Sequence, residues 1–397
     1  MTQVEYPTLQ LRHIADTPVV NGVGEAAADG EESWPRYIRI TDFKTLFALD
    51  PNKRETLPPE VAATAVVLKN DLLLAAVGAT VGSAYLHISG EPACFAGYLV
   101  RVRCNPRLAY PKFVAYWTAT KQFEDQIRSG AVGSTIENFS AAKYRGMRIP
   151  LPSLAVQSQI ADYLDARTTK IDALIGKQER LIELLAERRV SVLNALIESI
   201  SRARTVRLKY LFEQSRLSDS SDLQVLSVYR DHGVIPKSSR MDNFNKTPED
   251  VSRYLLVRPG DLVVNKMKAW QGSLGISPHE GIVSGDYEVA HAVSPELSSQ
   301  FAHYLLRSDR YISQYAERSV GIRPSQWRLY WDQLGEIRIP LPPVAEQETM
   351  VEQLERETSQ IDALSAKSRE MIDVLKERRQ ALISAAVTGK IDVRGLV

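Results

Sequence analysis

The chain has 397 residues, 44% of them apolar and 24% charged, the make-up of a globular protein with material for about two to four domains. No apolar run behind a basic start opens it, and its most apolar stretch, Val61–Val81, is broken by Lys69, Asn70 and Asp71; neither a signal peptide nor a bilayer span is expected, and the cytoplasm is the expected compartment. Basic and acidic side chains number 49 and 48, a net charge of +1, so any nucleic-acid binding must rest on local charge or on a partner.

Residues 1–147 read as a first mixed domain of short strands, Gly/Pro turns and one or two helices. Leu68-Lys-Asn-Asp71-Leu-Leu-Leu is a turn feeding a short apolar strand. Phe113 and Tyr116, just after Asn105-Pro106, stand at helical spacing. Cys94 and Cys104 lack both a second pair and a nearby histidine cluster. A structural zinc needs about four ligands and a reducing compartment disfavours a disulfide, so both are expected to be small core residues and no metal is expected.

Residues 148–200 begin Arg-Ile-Pro-Leu-Pro, whose alternate prolines demand extended backbone. The period then turns helical. Leu164, Ile171, Leu185 and Val192 recur at sevens with Leu174 and Leu181 between them, the a/d seam of a long packed helix. Gln178 interrupts that seam, and either fixes register or faces solvent. Glu187-Arg188-Arg189 either pairs across helices, meets another protein, or is a solvated face.

Residues 201–337 repeat the first domain weakly. Val257-Arg-Pro-Gly-Asp261-Leu-Val-Val answers the strand start at Asp71, Gly272-Ser273 answers Gly82-Ser83, and Phe301 and Tyr304 answer Phe113 and Tyr116. The skeleton is shared while the chemistry differs: Lys266, Met267, Lys268, Ala269 and Trp270 stand where the first copy has Ala76 to Thr80. Residues 338–397 repeat the helical segment strongly. At a constant offset of 190, 20 of the 53 positions from 148 to 200 recur unchanged in 338–390. Leu354, Ile361, Leu375 and Leu382 match the sevens, Leu364 and Met371 lie between, and Ser368 interrupts where Gln178 does. Each helix, of roughly 40 residues, should run about 60 Å, and each supplies the other's missing apolar partner. Periodicity leaves their direction open; pseudo-two-fold symmetry favours antiparallel. The fold class is therefore α+β, with two pseudo-repeated mixed domains joined by an antiparallel coiled coil.

These features together resemble the specificity subunit of type I restriction–modification systems. The twin RIPLP–x–x–A–x–Q segments, each leading into a helix with Ile-Asp-Ala-Leu and Glu-Arg-Arg, carry the likeness; the two Asp-Leu strand starts and Trp34–Asp42, WPRYIRITD, support it. The resemblance implies a division of labour. Each domain grips one half of a split double-stranded DNA target, and the helix pair sets the gap. Two modification subunits bind S-adenosylmethionine and methylate adenine, two motor-nuclease restriction subunits join for cleavage, and this chain carries no cofactor.

The sequence agrees with a reader rather than a catalyst. It has no Asn/Asp-Pro-Pro-Tyr/Phe tetrapeptide, Gly389-Lys390 lacks the earlier glycine of a phosphate loop, and no HExxH occurs. Base edges are read by Arg, Lys, Asn and Gln. The first-domain candidates are Arg36, Arg39, Thr41 and Lys44, with Asn138, Lys143 and Arg145. Those of the second are Lys266, Lys268, Trp270 and Gln271, with Arg323, Ser325, Gln326, Trp327 and Arg328. Trp270 and Trp327 are either contacts or core anchors. The rival readings are an interaction scaffold with no DNA and, third, a stand-alone DNA methyltransferase or nuclease.

Overall fold

The computed structural model describes residues 5–26, 30–131, 138–218, 222–230, 232–240, 247–248, 250, 251–323 and 326–394. Two compact units emerge, Met1–Glu179 with Arg369–Val397, and Arg180–Ser368. The boundary cuts both long helices, so each unit holds one mixed domain and half of each helix.

In the first unit the central antiparallel sheet runs Val20–Asn21, Leu99–Arg103, Asp71–Ala75, Ala84–Leu86. The second unit has the same order: Phe212–Ser215, Tyr287–Ala292, Leu262–Asn265, Leu274–Ile276. The strand start is built alike in both. Asn70 and Gly260 take left-handed φ of 72° and 94°, and the buried carboxylates that follow accept the backbone N–H of Leu68 and Arg258 at 2.8 and 2.7 Å. Their second partners differ. Arg103 holds Asp71 with two bonds of 2.7 Å, whereas Nδ1 of His291 lies 2.6 Å from Asp261.

The Arg-Ile-Pro segments are strands, as their prolines require. Arg148–Pro150 pairs antiparallel with Thr8–Gln10, and Arg338–Pro340 with Thr205–Arg207. A buried glutamine then ties each one to its helix and domain. Gln157 accepts from the Tyr110 N–H at 2.7 Å and donates to the carbonyls of Leu108 and Pro152 at 3.0 and 2.8 Å. Gln347 repeats this with Ser298, Glu296 and Pro342 at 2.9, 2.7 and 2.8 Å. Buried polar groups require such complete pairing.

Cys94 and Cys104 are buried, free thiols. Burial pushes them up, Cys94 to about 11 and Cys104 to about 12, so both stay protonated at neutral pH.

The long helices are Leu154–Ser199 and Val344–Val387, 46 and 44 residues, or roughly 69 and 66 Å at 1.5 Å per residue. They run antiparallel. In the first unit Leu164 shares a core with Ile383, Ala386 and Val387; in the second Leu193 and Ile197 share one with Met350 and Val351. The repeated Glu-Arg-Arg supplies cross-helix ion pairs, Arg379 to Asp172 at 2.8 Å in the first unit and Arg189 to Asp362 in the second. These two pairs are one pair repeated at the 190 offset.

The seam differs in one line from the sequence expectation. Leu164, Ile171, Leu185, Val192, Leu354, Ile361 and Leu375 are buried and Leu382 is half-buried. Leu174, Leu181, Leu364 and Met371, however, are exposed at 47, 39, 50 and 42%. The second line of the contact falls four residues after the first rather than three: buried Thr168 with half-buried Ile175 and Ile182 on one helix, half-buried Thr358 with buried Ser365 and Ile372 on the other. Positions i+3 and i+4 flank an a residue on opposite sides; after 171, 178, 361 and 368 the i+3 residue is leucine or methionine, while Thr, Ser or Ile fills the i+4 line just named. Packing took the side with smaller and β-branched residues, where the hydroxyl of half-buried Thr358 donates to its own helix at the Leu354 carbonyl, 2.8 Å away. Ser368 is buried and Gln178 half-buried, so this interruption sits in the seam and not in solvent.

Leu164→Ala should therefore lower stability by roughly 2–5 kcal/mol, and Leu174→Ala should change it by no more than about 0.5 kcal/mol. Urea midpoints of the two variants check this, and equal losses would overturn the seam assignment.

Candidate nucleic-acid interface

The second unit builds one surface from two loops. The first links strands Leu262–Asn265 and Leu274–Ile276. Asn265 Oδ1 accepts the Met267 N–H at 3.1 Å, a short 3-10 turn spans Ala269–Gln271, and Gly272 closes it with φ +90°. The second runs from Val320 to Arg328, whose backbones exchange two bonds of 3.0 Å. The loops join where the Leu329 N–H donates to the Lys266 carbonyl at 3.0 Å. Above that joint Trp270 and Trp327 meet edge to face, 5.6 Å between centroids, and Trp270 Nε1 donates to the Met267 carbonyl at 3.1 Å. Both indoles are half-buried; they brace the loops against each other and remain open on one side. Lys268, Gln271, Arg323 and Gln326 are exposed around them, and Arg328 lies 3.7 Å from Asp286.

Lys266 is not part of that exposed set. Its side chain is only 14% exposed, and its ammonium donates to the Gly285 carbonyl at 2.5 Å with Glu288 4.0 Å away. It faces inward because it continues the pleat of the strand before it. Ser325 lies outside the described residues.

The first unit uses the same joint with other side chains. The Phe139 N–H donates to the Ala76 carbonyl at 2.8 Å, and Val77 bridges Asn138. Ala76 and Phe139 are Lys266 and Leu329 at the 190 offset. Asn138, Lys143 and Arg145 are exposed beside this joint. Lys143 reaches the Asn138 carbonyl at 3.1 Å with its ammonium 5.7 Å above the Phe139 ring.

The Trp34–Asp42 segment belongs elsewhere. Arg36–Ile38 is a buried strand paired with Ala93–Phe95. Arg36 is 8% exposed, and its guanidinium donates to the carbonyls of Asp50 and Lys53 at 3.0 and 3.3 Å. It staples a loop and has no surface to offer DNA. Arg39 is half-buried, paired to Asp42 at 2.9 Å and Glu55 at 2.7 Å. Thr41 and Lys44 alone of that group are exposed. A strand whose two arginines point into carbonyls and carboxylates looks basic in sequence and is neutral in structure.

Among the residues without an assigned role in the sequence reading, Gln157 and Gln347 were the most visible, since each is the last letter of the repeated RIPLP–x–x–A–x–Q segment. Asp286 carried no signal, because only the fold brings it to Arg328, 42 residues on in the chain.

Truncating Arg36 to alanine should destabilise the fold by about 1–3 kcal/mol through orphaned carbonyls, whereas Arg323→Ala should leave stability within about 0.5 kcal/mol. Thermal unfolding distinguishes them; a stable Arg36→Ala protein would return that residue to the surface set.

Comparison with known proteins gives a consistent set of relatives. The family model described as "Type I restriction modification DNA specificity domain" matches residues 58–184. The MjaVIII specificity subunit of Methanocaldococcus jannaschii is 25% identical over 362 residues, covering 83% of this chain and 81% of that one. The EcoKI specificity subunit of Escherichia coli K12 is 29% identical over 115 residues, 29% of this chain and 24% of its own length. Among solved structures, a chain from a study of type I restriction–modification assembly and conformational transition superposes with a TM-score of 0.68 at 16% identity, covering 98% of this chain and all of that one. The HsdS subunit from Thermoanaerobacter tengcongensis gives 0.54 at 17%, with 97% of each chain covered.

Proposed function

We propose, from its likeness to the type I restriction–modification specificity subunits, that this chain is the non-catalytic DNA reader of such a complex, taking one half of a split target with each domain. The observation that carries the reading is the shared joint with unlike loops. Ala76–Thr80 in one unit and Lys266–Trp270 in the other leave the same sheet at the same place, and only the second presents Lys268 and a tryptophan. Two readers on one scaffold, differing where they would meet base edges, suit a target whose halves differ.

The helix pair then sets the spacer. It is continuous from Leu154 to Ser199 on one strand of the pair, and its ion pairs and seam resist sliding. Partner subunits, two for modification and two for restriction, supply S-adenosylmethionine-dependent adenine methylation and cleavage in the cytoplasm. Support for paired partners comes from the seam's leftover leucines. Leu174, Met371 and Val374 are exposed in one unit, and their counterparts at the 190 offset, Leu364, Leu181 and Leu184, are exposed in the other. Two equal apolar faces suit two copies of one protein.

Mapping methylated adenine across the genome, with and without the gene, tests the reading. A bipartite motif should vanish with the gene. Lys268→Ala and Arg323→Ala should relax one half-site only, a bidentate contact being worth about 1–3 kcal/mol of discrimination. A methylome unchanged by deletion would overturn the proposal.

Adding seven residues at matching points of both helices lengthens each by about 10 Å. The half-sites should then move apart by about three base pairs, with their sequences unaltered. Methylation at the original spacing would show that something other than the rods measures the gap.

A further inference from the structure

The second unit holds a cationic cleft that the two loops do not account for. It encloses about 410 Å³, and Arg189, Asn194, Arg230, Tyr304 and Arg307 line it with one carboxylate, Asp309. Arg189 is turned to Asp362. Arg230 is exposed, directly after strand Leu226–Tyr229. Its side chain stands next to the loop that carries Trp270 and Gln271: a Cβ on Gly272 would lie 3.9 Å from Arg230 Cγ.

The backbone at Arg230 is held from below. Its carbonyl accepts from Nη2 of Arg307, and Nη1 of Arg307 donates to Nε2 of His303 at 2.8 Å. The other ring nitrogen of His303 faces the Ile276 carbonyl at 3.3 Å. Burial, and then the Arg307 charge, hold this imidazole down at about 4, so it is neutral at physiological pH and free to accept from the guanidinium. The ring lies in a slot floored by glycines; a Cβ at Gly233 or Gly275 would come within 2.8 or 3.2 Å of its Cε1.

The first domain shows that the scaffold does not require this relay. At the offset of 188 that pairs Phe113 with Phe301 and Tyr116 with Tyr304, alanines 115 and 119 stand where His303 and Arg307 do. The same helix forms there, Pro111–Thr118 against Ser299–Leu306. A histidine–arginine brace added to one copy only, and ending on the carbonyl of an exposed arginine beside the reading loop, is placed for a task of that copy.

We infer that Arg230 contacts the DNA phosphate backbone flanking the bases read by the second domain, with Arg307 and His303 as positioning residues that fix it there. The inference rests on the DNA-reading function above. With Arg189 paired to Asp362, Arg230 and Arg307 against Asp309 leave the cleft net positive and a place for an anion, and an arginine whose backbone is held at the edge of a reading loop sets register while carrying no sequence information.

The test is binding of the full chain, co-purified with its modification subunits, to a random-sequence duplex and to its methylated target, between about 50 and 200 mM salt. Arg230→Ala should weaken both DNAs equally and flatten the plot of log K against log salt by about 0.9, one phosphate contact. Arg230→Lys should restore the slope. His303→Ala and Arg307→Ala, which install residues the first domain already has, should flatten it in the same direction with the Arg230 side chain intact. An unchanged slope in Arg230→Ala, while the parent binds with steep salt dependence, overturns this inference alone. A parent complex that binds neither duplex overturns the DNA-reading function with it.

Discussion

The carboxamide of Gln157 makes three bonds in a place where water cannot replace any of them, and Gln347 makes the same three. Each glutamine joins the proline turn, the first turn of a long helix and the segment that opens the domain's own helix. That joint fixes the angle at which a rod leaves a domain. A flexible joint would leave each domain free to swing, and the measuring role proposed for the rods would be lost. The two prolines beside it have the same effect, since they remove conformations from the turn before the bonds form.

From that joint the duplication can be followed into both domains. Buried aspartates begin the central strand in each, and the backbone bond across the two loops recurs at the 190 offset, with Ala76 and Phe139 answering Lys266 and Leu329. Around these constants the side chains have drifted. Arg103 in one copy and His291 in the other partner the aspartate, and Ala115 and Ala119 stand where the other copy has the His303–Arg307 brace. A sheet tolerates such exchange at its loops because its register is set by the buried face, so recognition chemistry could change without loss of the scaffold.

The helix pair shows a competition between two apolar lines. Leucine at 174, 181 and 364 is left exposed, while the residue beside each, Ile175, Ile182 and Ser365, turns toward the contact. Close approach of two helices favours short or β-branched side chains on the flank of the contact. The exposed leucines are thus a cost to the isolated chain, one that a partner's apolar surface would offset.

Read alone, the sequence determined the duplication, the proline strands and the rods, because these depend on local sterics and on a period that survives in one dimension; the antiparallel sense was favoured by the duplication and decided by the cores that Leu164 shares with Ile383 and Leu193 with Met350. It also marked Lys268, Gln271, Arg323 and Gln326 as surface candidates. Only the tertiary structure decided that Arg36 is buried and that Arg39 and Lys266 are half-buried and paired, that Thr168 and Ser365 are in the seam while Leu174 is not, and that two loops some fifty residues apart share one tryptophan pair. Charge and hydropathy belong to a residue wherever it sits. Whether a guanidinium meets a carbonyl or water, and which flank of a helix meets its neighbour, depends on atoms far away in the chain.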